Sequence, residues 1–163
     1  MHFLVLVAGM SEPSNAFALA DAFVRGMERE EDVNVTILRL KDLRIDHFRL
    51  DFYDPVCHQE EDFCKVQELL ERADGVVIVT PVWNFSVPAH LKNLIDRMGS
   101  FSLDGTRTRG TLNGKPFYIL FTTGAPKSAW FLQRHTTAHL PWSIQYFGGS
   151  FSRNIISVSY GVF

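Results

Sequence analysis

Two short, uninterrupted apolar runs, residues 3–7 and 76–79, constrain the fold of this 163-residue chain more than any other feature. A strand with one face in water alternates apolar and polar residues, whereas a strand covered on both faces is apolar throughout. Doubly covered strands are typical of parallel sheets, whose strands are joined by helical crossovers. The sequence therefore predicts an α/β fold.

The rest of the chain alternates between helical and strand-like apolar patterns, with Asp62 as a candidate cap of the second helix. The predicted helices are 17–27, 63–73, 91–98 and 130–140. The predicted further strands are 33–37, 117–123 and 155–160. Residues 41–61 are polar and irregular, and their length predicts a little structure of their own. With no internal repeat or linker, residues 1–163 are predicted to form a single domain.

Charge and cysteine content exclude several classes of protein. The net charge is −2 and Lys and Arg are not clustered, which argues against a nucleic-acid partner and against binding to acidic membranes. No apolar run is long enough to cross a bilayer. Cys57 and Cys64 do not make a disulfide framework, so we expect a reducing cytoplasm. Their spacing, with His58 between them, does not match common zinc patterns, and we predict no metal site.

Three loops follow predicted strands, at the edge of the sheet where ligands of α/β proteins bind. Residues 8–15 join the first strand to the first helix and carry Ser11, Ser14 and Asn15. Free N–H groups at a helix N-terminus, with hydroxyl and amide side chains beside them, favour a phosphate. The loop has neither a Walker A nor a dinucleotide pattern, so a mononucleotide fits better. An ordinary turn with Ser14 as N-cap is the alternative.

The other two loops carry groups suited to a planar ring. Residues 80–88 place Trp83 and Phe85 around Asn84, an amide that can both donate and accept hydrogen bonds. Residues 122–126 place hydroxyl groups and Gly124 after the fourth strand, where glycine permits close approach to backbone N–H groups. The alternatives are a rigid turn whose aromatic residues fill the core, and a simple turn. Together the three loops describe a flavin mononucleotide site.

Residues 80–97, TPVWNFSVPAHLKNLIDR, carry a resemblance to a known family. They resemble the T/S-P-x-Y-x-x-S-x-P loop and L-K-x-x-I-D-R helix of the NADPH-dependent FMN reductases and NAD(P)H quinone reductases of the flavodoxin-like superfamily. Residues 114–116 before the fourth strand also resemble this family. The resemblance implies a flavodoxin-like, doubly wound, five-stranded parallel sheet with strand order 2-1-3-4-5.

The same resemblance implies the activity. NADPH or NADH would deliver hydride to flavin N5, and the reduced FMN would pass electrons to a small acceptor such as a quinone or a flavin. No side chain is assigned as an obligatory acid or base. A flavodoxin-type electron carrier and a flavin-free interaction domain are the alternatives. The predicted cofactor-binding residues are Ser11, Ser14, Asn15, Pro81, Val82, Trp83, Asn84, Phe85, Thr122, Thr123 and Gly124.

Two features depart from the family pattern. Glu12 stands in the first loop, which lacks the basic residue usual in the family's phosphate loop. The resemblance also implies a last helix after the fifth strand, and we expect this helix to be absent or to have been removed. The face that it would cover is therefore predicted to be an apolar patch formed by Phe17, Val24 or their neighbours with the outward residues of 155–160. We expect another subunit, in a homodimer or homotetramer like those of relatives, or residues 41–61 to cover this patch.

Overall fold

A parallel sheet forms the centre of the computed structural model, which describes residues 1–124, 139–151 and 156–159, the last range as backbone only. The strands are β1 (His2–Val7), β2 (Asn34–Arg39), β3 (Gly75–Pro81), β4 (Pro116–Thr123), β5 (Ser150–Phe151) and β6 (Ile156–Ser159). Their order is β2-β1-β3-β4-β5, and β6 also pairs with β4. Since β5 and β6 pair with opposite ends of β4, they share the fifth position. The predicted order 2-1-3-4-5 is confirmed.

Helices connect the strands as the spacing predicts. They are α1 (Asn15–Met27), α2 (Glu61–Arg72), α3 (Ala89–Met98) and α4 (His139–Tyr146). Most of the predicted helix 130–140 lies outside the described residues, as do Ile155 and Tyr160 of the predicted fifth strand; β5 was not predicted. None of the helices in the described ranges is long and apolar enough to span a membrane.

The prediction of Asp62 as a helix cap is wrong. Glu60 precedes the first residue of α2, and Asp62 lies inside the first turn. Its Oδ2 instead accepts a hydrogen bond of 2.8 Å from the backbone N–H of Arg44. This side chain therefore holds residues 41–61 against the helix, a contact between segments far apart in sequence that no local pattern reveals.

Both faces of the sheet are buried, because successive residues of each strand point to opposite sides. Leu4 and Leu6 of β1 face a core shared with α2, α3 and α4, while Val5 and Val7 face a second core with α1. Val24 belongs to this second core and is 5% exposed. The expectation that Val24 would help form an uncovered face is therefore wrong, because its side chain points at the chain's own sheet.

Residues 41–61 contain the short 3₁₀ turn Leu50–Tyr53 and overlap the turn Leu40–Asp42, so the segment has a little structure of its own, as its length predicted. The fully buried Arg97 of α3 anchors this segment. Its guanidinium donates to both carboxylate oxygens of Glu60, at 3.0 and 2.6 Å, and to the carbonyl of Asp46 at 3.0 Å. The rings of Phe52 and Phe63 lie 3.5 and 4.2 Å from its Cζ. Arg97 thus joins α3, α2 and the irregular segment in one buried cluster.

We expect the Arg97–Glu60 pair to make part of the free energy of unfolding depend on pH in the acidic range. Hydrogen bonds from Arg97 lower the pKa of Glu60 from its ordinary 4.5 to about 2. A lowered carboxyl pKa stabilises the fold above pH 4.5, and the contribution is lost as pH falls towards 2; a shift of this size corresponds to about 3 kcal/mol. Urea unfolding between pH 6 and pH 2.5 should show a flatter profile for Glu60→Gln than for wild type. If the stability of the two proteins changed with pH in parallel, the lowered pKa of Glu60 would be contradicted.

Candidate functional site

Three loops, following β1, β3 and β4, meet at the carboxyl edge of the sheet and enclose a cleft of about 300 Å³. Such edges are where open α/β sheets bind ligands. Every predicted site residue except Asn84 and Phe85 lines this cleft. The full lining is Gly9, Ser11, Ser14, Asn15, Ala16, Pro81, Val82, Trp83, Thr122, Thr123 and Gly124. Gly9 and Ala16 were absent from the prediction, although both stand in or beside the first loop.

The first loop is shaped by Ser14, which caps α1. Its Oγ accepts a hydrogen bond of 3.1 Å from the backbone N–H of Phe17, so the cap that was the alternative interpretation of this loop is present. A Cβ added at Gly9 would lie 2.3 Å from this Oγ and 3.0 Å from the Cβ of Ala16. Only glycine fits there without a shift. The loop is therefore a tight cradle whose floor is the N-terminus of α1.

Glu12, in the same loop, is not an unpaired acid. Its Oε1 accepts hydrogen bonds from the guanidinium of Arg39 and from the ammonium of Lys41. These two bonds lower the pKa of Glu12 and keep it ionised. Arg39 ends β2, the neighbour of β1, and is opposite Val7 in the register of the two strands. Two cations from the adjacent strand end therefore stand beside the first loop.

The second loop turns back on itself in two residues. The backbones of Trp83 and Ser86 exchange hydrogen bonds of 2.8 Å in both directions, and Asn84 and Phe85 between them have φ of 48° and 60°. These are the positive values of a tight hairpin turn, and they are rare for an aromatic residue. Trp83 is thereby placed at the cleft, while Phe85 is 75% exposed and outside its lining. Phe85 thus neither lines the cleft nor fills the core.

The third loop is tied to the second through the ends of β3 and β4. The backbone N–H of Val82 donates to the carbonyl of Thr122 at 2.9 Å. Thr122 and Thr123 are buried, at 4% and 7% exposure, whereas Gly124 is exposed. The two hydroxyl-bearing residues are thus the buried part of this loop, and Gly124 is its exposed part.

His90 of α3 connects the second loop to the first. Its Nε2 lies 2.9 Å from the carbonyl oxygen of Ala8, the residue before Gly9. Because a carbonyl only accepts, Nε2 carries the proton and donates. Burial lowers the pKa of His90, which favours the neutral ring. This contact joins residues 82 positions apart, so no local pattern in the sequence predicts it.

We expect His90→Leu to destabilise the protein by about 1–2 kcal/mol, because the buried carbonyl of Ala8 would lose its imidazole partner. His90→Gln should recover part of this loss, since its amide can donate at a similar reach. Urea unfolding of the three proteins at pH 7 checks the order wild type, Gln, Leu. Equal stability of the Leu and Gln variants would mean that packing of the ring, not its hydrogen bond, matters.

The residues of the cleft suit a phosphorylated, ring-containing ligand. A capped helix N-terminus and a glycine cradle form one end, and an indole with buried hydroxyl groups forms the other. None of the lining residues is charged. In the described part of the chain, no group of three or more His, Cys, Asp or Glu side chains could hold a metal ion.

Comparison with known proteins decides the family. The profile of the NADPH-dependent FMN reductases matches residues 1–153. The chain belongs to this family. The predicted family is thereby confirmed, and so is the predicted class of enzyme, an FMN-dependent NAD(P)H oxidoreductase. Membership also favours the reductase over the alternatives of an electron carrier and a flavin-free domain.

Several relatives of this chain are named as quinone reductases or quinone oxidoreductases. The FMN-dependent NADH:quinone oxidoreductase of Pseudoalteromonas atlantica is 28% identical, over 76% of this chain and 69% of its own length. The protein of the same name from Mycoplasma mobile is 29% identical, over 94% of this chain and 81% of its own. The quinone reductase of Escherichia coli K12 is 54% identical, but over only 27% of this chain and 26% of its own length.

Solved structures support the fold. An NAD(P)H:quinone oxidoreductase from Methanothermobacter marburgensis aligns with a TM-score of 0.74 at 18% identity, covering 99% of this chain and 84% of that one. An azoreductase from Bacillus anthracis aligns with a TM-score of 0.71 at 20% identity, covering 98% and 86%. The predicted flavodoxin-like fold is confirmed.

Proposed function

We propose that the cleft binds FMN with its phosphate in the first loop and its ring system between the second and third loops. The observation that carries this assignment is the convergence of three separate strand ends on one cleft. One end of the cleft offers backbone donors at the N-terminus of α1 beside Ser11, Ser14 and Asn15. The other offers Trp83 and the loop around Thr122, at a spacing set by the sheet.

Each part of the cleft would bind a different part of FMN. The cradle around Gly9 would orient the phosphate through backbone N–H groups. The indole of Trp83 would cover an apolar ring surface, and Pro81, Val82 and Gly124 would provide its backbone-lined edge. When bound, FMN supplies the hydride and electron transfer chemistry, and the protein contributes position and electrostatics. No side chain is needed as an acid or base.

Reconstitution with FMN under anaerobic conditions tests this function. Purified protein should bind FMN and quench its fluorescence, and NADPH or NADH should then bleach the bound flavin without a further protein. A small quinone or free flavin should restore the colour through repeated cycles. Bound flavin that nicotinamides do not bleach would favour the electron carrier, and absence of flavin binding would refute the proposed site.

We expect Trp83→Ala to weaken FMN binding about fivefold, since ring stacking contributes about 1 kcal/mol beyond area burial. Phe85→Ala is the matched control, because Phe85 is a neighbouring aromatic residue that lies outside the cleft. It should leave the FMN dissociation constant unchanged. Fluorescence titration of the two variants measures both constants. If the two substitutions changed the FMN dissociation constant equally, the flavin ring would not be stacked on Trp83.

We extend the proposal to the assembly and the compartment. Trp142 and Tyr146 of α4 are 74% and 57% exposed, and they line a surface hollow of about 450 Å³ with Tyr53. Exposed aromatic residues of this kind are typical of interfaces, which supports a homodimer or homotetramer. Sedimentation at micromolar concentration would contradict this if it found a monomer.

The free thiols of Cys57 and Cys64 are consistent with the reducing cytoplasm, where we place the protein.

A further inference from the structure

The pairing of Glu12 with Arg39 and Lys41 changes the charge of the first loop. Residues 8–16 carry Glu12 as their only charged side chain. A carboxylate beside a helix N-terminus would repel a phosphate dianion. Here its Oε1 is shared by two cations, so the three groups together carry one net positive charge. Asp42 stands 4.0 Å from the Nε of Arg39, a longer contact than those made by Glu12, and its side chain, 60% exposed against 56% for Glu12, is likewise partly screened by solvent.

The two cations are more buried than their partner. The side chains of Arg39 and Lys41 are 23% and 20% exposed, whereas that of Glu12 is 56% exposed. The guanidinium of Arg39 also lies over the ring of Phe17, with Cζ 4.5 Å from its centroid. Phe17 is in the first turn of α1 and donates its backbone N–H to Ser14. The guanidinium is thus positioned against the turn that forms the floor of the cradle.

Hydrogen bonds remain available on both cations. A guanidinium has five N–H donors and an ammonium has three. The shared oxygen of Glu12 accepts one bond from each. A second anion beside the loop can therefore be bound by the same two side chains while Glu12 keeps them oriented.

We propose that Arg39 and Lys41, oriented by Glu12, are the cationic part of the phosphate subsite and select a flavin that carries a terminal phosphate monoester. The inference rests on the proposed function, because Arg39 and Lys41 lie outside the lining of the cleft and contact its first loop through Glu12. It explains how a loop without a basic residue can still favour a dianion. The cations come from the end of β2, which pairs in register with β1, instead of from the loop itself.

Binding of two flavins that differ only in the phosphate tests the proposal. Wild type should bind FMN more tightly than riboflavin. Arg39→Gln with Lys41→Gln should weaken FMN binding about tenfold or more and leave riboflavin binding unchanged, because charge-assisted hydrogen bonds form only to the phosphate. Lys41→Gln alone, which leaves the Arg39–Phe17 contact in place, should weaken FMN binding several-fold and serves if the double variant does not fold.

Arg25→Gln with Arg72→Gln is the matched control, because it removes two exposed cations from the C-terminal turns of α1 and α2. It should change neither flavin's affinity. Equal losses of FMN and riboflavin in the double variant would show that the cations support the fold of the loop, and would overturn the proposal. Unchanged FMN selectivity would also overturn it while leaving the proposed function intact.

NADPH also carries a phosphate monoester, and the same variants distinguish this phosphate from that of the flavin. Steady-state kcat/KM for NADPH and for NADH should fall together, or not at all, in the double variant. A selective loss with NADPH, at unchanged FMN affinity, would assign the cations to the donor's 2′-phosphate and refute the flavin subsite. A wild-type chain that binds neither flavin would refute the inference together with the proposed function.

Discussion

Arg97→Met should lower the free energy of unfolding by about 3 kcal/mol, because the largely buried carboxylate of Glu60, 22% exposed, would lose its fully buried partner. The guanidinium is fully buried and holds Glu60, Gln59 and the carbonyl of Asp46. Methionine can fill the space between the rings of Phe52 and Phe63 but donates no hydrogen bond. Residues 41–61 should therefore lose their anchor before the sheet unfolds, and limited proteolysis should cleave first within this segment.

The control for this prediction is Arg72→Met, which breaks a pair with Glu68 whose side chains are 72% and 58% exposed. An exposed pair contributes about 0–1 kcal/mol, so this variant should unfold almost like wild type. A double variant, Arg97→Met with Glu60→Met, should recover part of the lost stability, because no buried charge remains. If Arg97→Met matched Arg72→Met in urea unfolding, Arg97 would not be the anchor of the segment.

Gly9→Ala should weaken FMN binding about tenfold to a hundredfold. The new Cβ would lie 2.3 Å from the Oγ of Ser14, so either the loop or the cap of α1 must move. Misplacing one donor to a charged phosphate costs about 1.5–3 kcal/mol. This loss of binding free energy corresponds to about one to two orders of magnitude in the dissociation constant. Flavin fluorescence titration measures the change.

Gly26→Ala provides a control on the same helix. A Cβ at Gly26 would meet nothing within 4 Å, and the residue is exposed near the C-terminal end of α1. Alanine is about 1 kcal/mol more favourable than glycine in a helix, so this variant should be more stable and bind FMN normally. Unimpaired FMN binding by Gly9→Ala would place the phosphate elsewhere than in the first loop.

Local patterns in the sequence were sufficient for the α/β class and for most of the cleft, whereas the strand order came from the family resemblance of residues 80–97. The apolar runs 3–7 and 76–79 predicted doubly covered parallel strands, and both faces of β1 and β3 are buried. The loops after β1, β3 and β4 follow from this arrangement, since parallel strands end at the same edge of the sheet. For the same reason, nearly all of the predicted site residues line one cleft.

Tertiary structure decided the contacts between segments that are distant in sequence. The pairing of Glu12 with Arg39 and Lys41, 27 and 29 positions away, depends on the register of β1 and β2. The positive φ of Phe85 belongs to the turn that leaves this side chain outside the cleft. The sequence had suggested a ring contact, because Phe85 is an aromatic residue of the second loop. Periodicity reports which face of an element is buried, because burial follows a repeat along the chain. Hydrogen bonds and ion pairs across elements have no repeat, so only the folded chain shows which groups meet.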